Sequence, residues 1–314
     1  MFRTLRLATY TSLMVIGGLA STASAADLKV VASFSIIADL ARNVGGDLVE
    51  VKTLVPVDGD AHTYEPRPAD AASLSEANVV LVNGLGLEGF MSRLIKTSGT
   101  KAPVVEVSKG VKPLKGEGEE HGESKEHADA DHDGHHHGAF DPHAWQAIPN
   151  GEIYVKNITD AFCKADKAGC TTFKANSQAY LAKLKALDKD VRAEIASVPK
   201  NKRTIITSHD AFGYFEHEYG LKFLAPEGIS TEAEASAADV AKLVDQVKED
   251  KASAVFVENI TNPKLIEQIA RETGLKVGGT LYSDALSGAD GPASTYIDMF
   301  RHNVKTMKAA MLGS

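Results

Sequence analysis

The chain is 314 residues long, carries a formal net charge of −8 and contains two cysteines. At ~100 to 200 residues per domain, this length suggests two domains, each large enough for its own core. The excess of acidic residues argues against a nucleic-acid or anionic-membrane partner, because both would repel the protein.

Residues 1–25, MFRTLRLATYTSLMVIGGLASTASA, have the pattern of a cleaved secretory signal peptide, with two arginines, an apolar segment at 13–20 and an Ala-Ser-Ala cleavage site. The apolar segment is shorter than the ~20 residues that cross a bilayer, which disfavours a membrane anchor. No cysteine lies near Ala25 to carry a lipid. Cleavage would leave 314 − 25 = 289 residues with a net charge of −8 − 2 = −10, since Arg3 and Arg6 are removed. We expect a periplasmic protein.

The first half alternates strand-like apolar runs with amphipathic helical patterns. The predicted strands are 29–33, 49–55, 79–82 and 104–107, and the predicted helices are 36–44, 68–76 and 89–98. Strand followed by helix, repeated, is typical of a parallel sheet covered on both faces. We therefore predict an N-terminal α/β lobe over residues 26–170.

Residues 115–139 break this pattern, because Gly, Glu, Asp and His replace the apolar residues. Such a segment cannot bury enough surface to order itself, and we expect a mobile loop. Its histidines are His121, His127, His132, His135, His136 and His137. Residues 129–134 imitate the start of an EF-hand calcium loop, but the closing glutamate position falls at Phe140, which argues against calcium binding.

The two cysteines, Cys163 and Cys170, are expected to form a disulfide in an oxidising compartment. Two inert free thiols are the alternative, and a redox pair is disfavoured because the C-x-x-C pattern is absent. Residues 171–198 then contain no Gly or Pro and repeat apolar residues at three-, four- or seven-residue steps, which predicts one long helix of about 42 Å. We assign residues 171–199 to a rigid linking helix that Pro199 closes.

The second half repeats the order of the first. The predicted strands are 203–207, 222–225, 254–257 and 276–280, and the predicted helices are 211–219, 235–249, 263–273 and 294–312. The stretch VASFSIIADLARNVGGDLVEV also aligns weakly with ITSHDAFGYFEHEYGLKFLAP from the second half. The sequence thus predicts an α/β protein of two related lobes, each a parallel four-stranded sheet with flanking helices, the second over residues 200–314.

Ligands of open α/β sheets bind beyond the carboxyl ends of the strands, so residues that follow the strands are candidates for a site. His62 and His143 follow strands of the first lobe, and His209 and Asp284 follow strands of the second. Zinc accepts imidazole nitrogen and carboxylate oxygen in a tetrahedron. We expect these four side chains to meet in one cleft, whereas His217 and His302 fall within helices and are expected at the surface.

The segments GDAHTYEPRPAD, DPHAWQ, SHDAFGYF, FVENITNPKLIEQIA and LYSDALS resemble, in this order, the metal-binding solute-receptor proteins of bacterial zinc and manganese ABC transporters. The resemblance implies two α/β lobes bridged by a rigid helix, with the ion held between them. It implies that His62, His143 and His209 are imidazole ligands and that Asp284 is the carboxylate ligand.

In the manganese-binding branch of that family the third ligand is typically Glu, whereas this chain has His209. Three nitrogens and one carboxylate are a softer set that favours zinc, and the histidine-rich loop is found in many zinc members. The loop would collect exchangeable zinc near the cleft, or it is a dispensable insertion. A manganese- or mixed-metal receptor is the alternative.

The function implied is a monomeric, non-enzymatic receptor that captures Zn²⁺ and delivers it to a membrane permease, with loading by a metallochaperone left open. A periplasmic zinc buffer would have the same sequence features. A zinc hydrolase is disfavoured, because H-E-x-x-H and G-x-S-x-G are absent and Asp284 would close the metal's coordination shell. Whether Glu65 or Glu258 supports the ligands is left open by the sequence.

Overall fold

Two parallel β-sheets, each with helices packed against it, organise the chain. The computed structural model describes residues 28–116 and 140–313. The expected signal peptide and all six loop histidines, His121, His127, His132, His135, His136 and His137, lie outside these described residues.

The N-terminal half begins with alternating strands and helices and ends in a pair of long helices. Its elements are β1 (Leu28–Phe34), α1 (Ser35–Gly45), β2 (Val49–Val55), α2 (Pro68–Ser75), β3 (Val79–Val82), α3 (Met91–Ser98), β4 (Val104–Glu106), α4 (Ile148–Ala165) and α5 (Cys170–Ala196). The strand order in the sheet is β2-β1-β3-β4, and all neighbouring pairs are parallel. The strands β1 and β3 are almost wholly apolar because helices cover both faces of the sheet.

The C-terminal half has the same arrangement of strands. Its elements are β5 (Thr204–Ile206), α6 (Gly213–Tyr219), β6 (Lys222–Leu224), α7 (Ala237–Asp250), β7 (Ala254–Glu258), α8 (Lys264–Thr273), β8 (Val277–Leu281) and α9 (Tyr296–Leu312). The order β6-β5-β7-β8 repeats that of the first sheet, again with parallel pairing. The prediction of an α/β fold with two related four-stranded parallel sheets is confirmed.

The helix α4 is missing from the sequence-based prediction. Its first residues, Ile-Pro-Asn-Gly, resemble a turn, yet proline is compatible with the first turn of a helix. Gly151 lies against the Tyr296 ring of α9, where an added Cβ would come within 2.6 Å of the tyrosine oxygen. The glycine therefore reflects close packing between helices, which no local pattern indicates.

The long helix α5 packs against α1, α4 and α9. The side chains that it buries form one stripe: Phe173, Ser177, Tyr180, Leu184, Leu187, Val191 and Ile195. A disulfide joins Cys163, in the last turn of α4, to Cys170 at the start of α5. We propose to keep the lobe boundaries predicted above, with residues 171–199 as the connection.

One apolar cluster extends from the first lobe through α5 into the second, where it includes Phe212, Phe215 and Phe300. A smaller cluster around Leu243 and Ile269 lies elsewhere in the second lobe. Because the lobes share a continuous core, separating them would expose apolar surface to water. Within the described ranges, no helix is both long and apolar enough to cross a membrane.

Candidate metal centre

Four loops at the carboxyl ends of strands bring the predicted residues to the junction of the lobes. His62 lies between β2 and α2, and His143 directly precedes the short 3-10 turn Ala144–Gln146 before α4. His209 follows β5, and Asp284 follows β8. Three of the side chains are fully buried, and His62 retains 8% of its exposure. The two halves of the chain thus contribute two side chains each to one enclosed space.

The metal-binding atoms of these four residues all lie within 4.8 Å of one another. The Nε2 atoms of His62, His143 and His209 are 3.1, 3.5 and 3.3 Å from Oδ2 of Asp284. Those of His62 and His143 are 3.3 Å apart. A tetrahedral ion with ligand distances of about 2.0 to 2.2 Å requires ligand–ligand separations of about 3.3 to 3.6 Å. The four atoms therefore fit such an ion with little rearrangement.

The charges of the site oppose the effect of burial. Burial by itself would raise the pKa of Asp284, but His143 and His209 hold it well below its usual range. Burial would lower the pKa of His143, yet Asp284 and Asp141 outweigh it and raise that pKa to about 9. The pKa of His209 is likewise raised, by Glu258 and Asp284 against burial. Without metal, protons on the imidazoles balance the buried carboxylates.

Two further carboxylates contact the outer nitrogens of the imidazoles. Oδ1 of Asp141 lies 2.7 Å from Nδ1 of His143 and also accepts the His143 backbone N–H at 2.9 Å. Oε2 of Glu258 lies 2.8 Å from Nδ1 of His209, although the angle falls outside that of a regular hydrogen bond. Oε1 of Glu258 accepts the backbone N–H groups of Ser208 and His209. Such partners fix the ring so that Nε2 faces the centre.

The sequence left the role of Glu258 open and did not identify that of Asp141. The signal for Glu258 is a carboxylate at the carboxyl end of the buried strand β7, on the same edge as the candidate ligands. Asp141 stands two residues before His143, close enough to contact the ring from its own turn. Glu65 is exposed. His302, expected at the surface, is half-buried and donates to the Thr280 carbonyl oxygen at 2.9 Å.

His62 forms the least enclosed side of the site. It borders a cavity of about 340 Å³ that is also lined by Thr63, Tyr64, Phe90, Arg93 and Glu232. The His62 backbone N–H donates to Oδ1 of Asp60, whose Oδ2 accepts from the Thr231 hydroxyl of the second lobe at 2.6 Å. An ion entering from solvent has its shortest route on this side, since the other three side chains are fully buried.

The fold and this site define a solute receptor for metal ions. A family model described as "ZnuA: Zinc-uptake complex component A periplasmic" matches residues 30–310, and the chain belongs to this family. Among the described residues, no other group of three or more His, Cys, Asp or Glu side chains lies close enough together to hold a metal.

Similar proteins carry the names of different metals. The manganese-binding lipoprotein MntA of Bacillus subtilis is 36% identical over 293 residues, covering 90% of each chain. The iron ABC transporter substrate-binding lipoprotein MtsA of Streptococcus pyogenes is 32% identical and covers 90% of this chain and 88% of its own. The periplasmic zinc-binding protein TroA of Treponema pallidum has a TM-score of 0.80 at 31% identity, covering 91% of this chain and 99% of its own. The protein is therefore a metal-binding receptor of the ABC-transporter type, a class of solute-binding proteins that work with a membrane permease outside the cytoplasm.

Proposed function

We propose that the protein captures Zn²⁺ and delivers it to the permease of an ABC importer. The observation that carries this proposal is the buried cluster of three imidazoles and one carboxylate at tetrahedral separations. In the proposal His62, His143, His209 and Asp284 bind the ion through Nε2 and Oδ2. Zinc suits such a set, because it accepts nitrogen and oxygen ligands with four-coordinate geometry.

The third imidazole, His209, supports zinc over manganese. Carboxylate, carbonyl and water oxygens suit manganese, whereas imidazole suits zinc, iron and copper. A hydrolytic zinc site keeps one position for water, but Asp284 occupies the fourth position here and the cluster is closed to solvent on three sides. The geometry therefore favours holding an ion over activating water on it.

A manganese- or iron-binding receptor is the second candidate, and one observation favours it. Oδ1 of Asp284 is buried and has no hydrogen-bond partner. If this second oxygen also bound the ion, the coordination number would rise to five, which suits ions that take more oxygen ligands. The manganese- and iron-named relatives support the same candidate.

We further propose that residues 1–25 are cleaved on export, that the mature protein acts as a periplasmic monomer, and that a metallochaperone is a further candidate partner. The proposed collectors of exchangeable zinc are His121, His127, His132, His135, His136 and His137. Weak sites tethered near the centre would raise the local concentration of the ion. A protein that only buffers zinc would bind the ion equally well but would not engage a permease.

The test is titration of metal-free mature protein with Zn²⁺, Mn²⁺ and Fe²⁺ against a competing chelator, beside a variant lacking residues 117–138. We expect one tight site that prefers zinc in both proteins, with weaker zinc sites only in the intact chain. Tighter binding of manganese or iron would select the second candidate. Vesicles containing the cognate permease should import zinc when the loaded receptor is added, and a lack of import would favour the buffer.

A further inference from the structure

The segment that follows His143 is fixed between the two lobes. Three tyrosines of the second half bind its backbone: the Tyr214 hydroxyl donates to the Asp141 carbonyl at 2.9 Å, the Tyr296 hydroxyl donates to the Trp145 carbonyl at 2.5 Å, and the Tyr219 hydroxyl accepts from the Ile148 N–H at 3.2 Å. The segment that carries one candidate ligand is therefore anchored to the lobe that carries two others.

Two side chains of this segment converge on one carbonyl of the second lobe. Trp145 Nε1 and Gln146 Nε2 donate to the Ser283 carbonyl oxygen at 2.9 and 2.7 Å. Both side chains are fully enclosed, with 0% and 1% exposure. A backbone carbonyl has two lone pairs, so these donors use its whole hydrogen-bonding capacity. Because Ser283 directly precedes Asp284, the two donors restrain the peptide unit that carries the candidate carboxylate ligand.

The restraint links two candidate ligands that are far apart in the chain. The Gln146 backbone N–H donates to the His143 carbonyl at 3.0 Å, so this short turn fixes Gln146 relative to His143. The Gln146 side chain then fixes Ser283, and Nε2 of His143 lies 3.5 Å from Oδ2 of Asp284. These contacts form a closed ring in which a change at Gln146 alters the spacing of the two metal-binding atoms.

The other side of Asp284 is held by helix α9. The Asn303 side chain accepts the Tyr282 N–H at 3.0 Å and donates to the Tyr282 carbonyl at 2.8 Å. With Tyr282 fixed in this way, the orientation of the next peptide unit depends on the two donors at the Ser283 carbonyl. Without them, the Asp284 carboxylate could rotate away from the imidazoles.

We propose that Trp145 and Gln146 are positioning residues that hold Asp284 at the distance from His143 which a small tetrahedral ion requires. This inference rests on the proposed metal-binding function. Loss of the restraint should allow the ligands to spread, which penalises zinc more than ions that accept longer bonds or more ligands. Trp145 and Gln146 thus contribute to metal selectivity without touching the ion.

The test uses Gln146→Met, which keeps the length of the side chain and removes the donor, and Gln146→Glu, which keeps its shape and replaces the donor with an acceptor. The matched control is Asn176→Leu, because Asn176 also donates its side-chain amide to a backbone carbonyl, that of Val44, between α5 and α1. For each protein, zinc and manganese affinities are measured by chelator competition, the Co²⁺-loaded form by visible absorption, and the metal-free form by thermal unfolding.

We expect both Gln146 variants to weaken zinc binding by about 10- to 100-fold, the range typical of residues that orient metal ligands. Manganese binding should weaken less, and the intense absorption of tetrahedral Co²⁺ should decline. The control should keep the wild-type affinity ratio and spectrum. Wild-type ratios and spectra in both Gln146 variants would overturn the inference, even if their unfolding temperatures fell. A wild-type protein without a tight site would instead refute the proposed function, and with it the inference. If Gln146→Met does not fold, Gln146→Glu decides by the same criteria.

Discussion

Metal affinity should rise steeply between pH 7 and pH 9, because the ion must displace protons held by the metal-free site. The pKa of His143 is raised to about 9 by Asp284 and Asp141, against the effect of burial. Each pH unit below that pKa lowers the apparent affinity about tenfold, or about 1.4 kcal/mol. His143 alone therefore predicts about a 100-fold gain over these two units. His209, whose pKa is also raised, should steepen the dependence.

The stability of the metal-free protein should change in the opposite direction. A folded-state pKa above the unfolded value stabilises the fold fully below the unfolded pKa of about 6.5, and this contribution is lost as the pH rises through the folded pKa. For His143 that loss is centred at about pH 9. The thermal stabilisation that zinc produces should therefore increase with pH over the same range.

The assay is zinc titration calorimetry at pH 7.5 in buffers of different ionisation enthalpy, with chelator competition at several pH values. Between one and two protons should be released per ion. The control is His217→Ala, because His217 is exposed on α6 and its loss should leave the proton count unchanged. An affinity that stays constant from pH 6.5 to 9, or binding without proton release, would refute the assignment of His143 and His209 as ligands.

Three further predictions concern single positions. His209→Ala should lower zinc affinity by more than the ~10- to 100-fold typical of a residue that orients a ligand; an unchanged one-site chelator titration would show that the proposed site is misplaced. Glu258→Gln should weaken zinc about 10- to 100-fold while circular dichroism stays at the wild-type signal, and full affinity would mean that the contact with His209 orients nothing. Replacing Cys163 and Cys170 together by Ser should lower the free energy of unfolding by about 2 to 3 kcal/mol in denaturant titrations, without affecting zinc affinity. An unchanged midpoint would contradict a stabilising role.

The arrangement of strands and helices could be predicted from the sequence because its signals are local. A parallel strand covered on both faces is a short apolar run, as in Val79–Val82, and a surface helix repeats its apolar residues every three or four positions. The carboxyl ends of parallel strands share one edge of the sheet. Candidate ligands could therefore be selected by their place after strands, as with His62 and Asp284, without knowing any distance between them.

The helix α4 shows where local signals end. Its first turn contains Pro149 and Gly151, which read as a turn in isolation, and its packing against Tyr296 of α9 depends on a residue 145 positions away in the chain. The side chains that orient the imidazoles were also hard to predict, because Glu258 becomes a partner of His209 only when β7 lies beside β5.

The sequence by itself determined the fold class, the order of the elements and which side chains follow the strands, since each depends on neighbours within a few residues. Only the tertiary structure decided that four metal-binding atoms come within 4.8 Å, that the lobes share one core, and that Trp145 and Gln146 grip the carbonyl before Asp284. These contacts join residues more than 100 positions apart, and their distances depend on how whole sheets and helices pack, which no local pattern encodes.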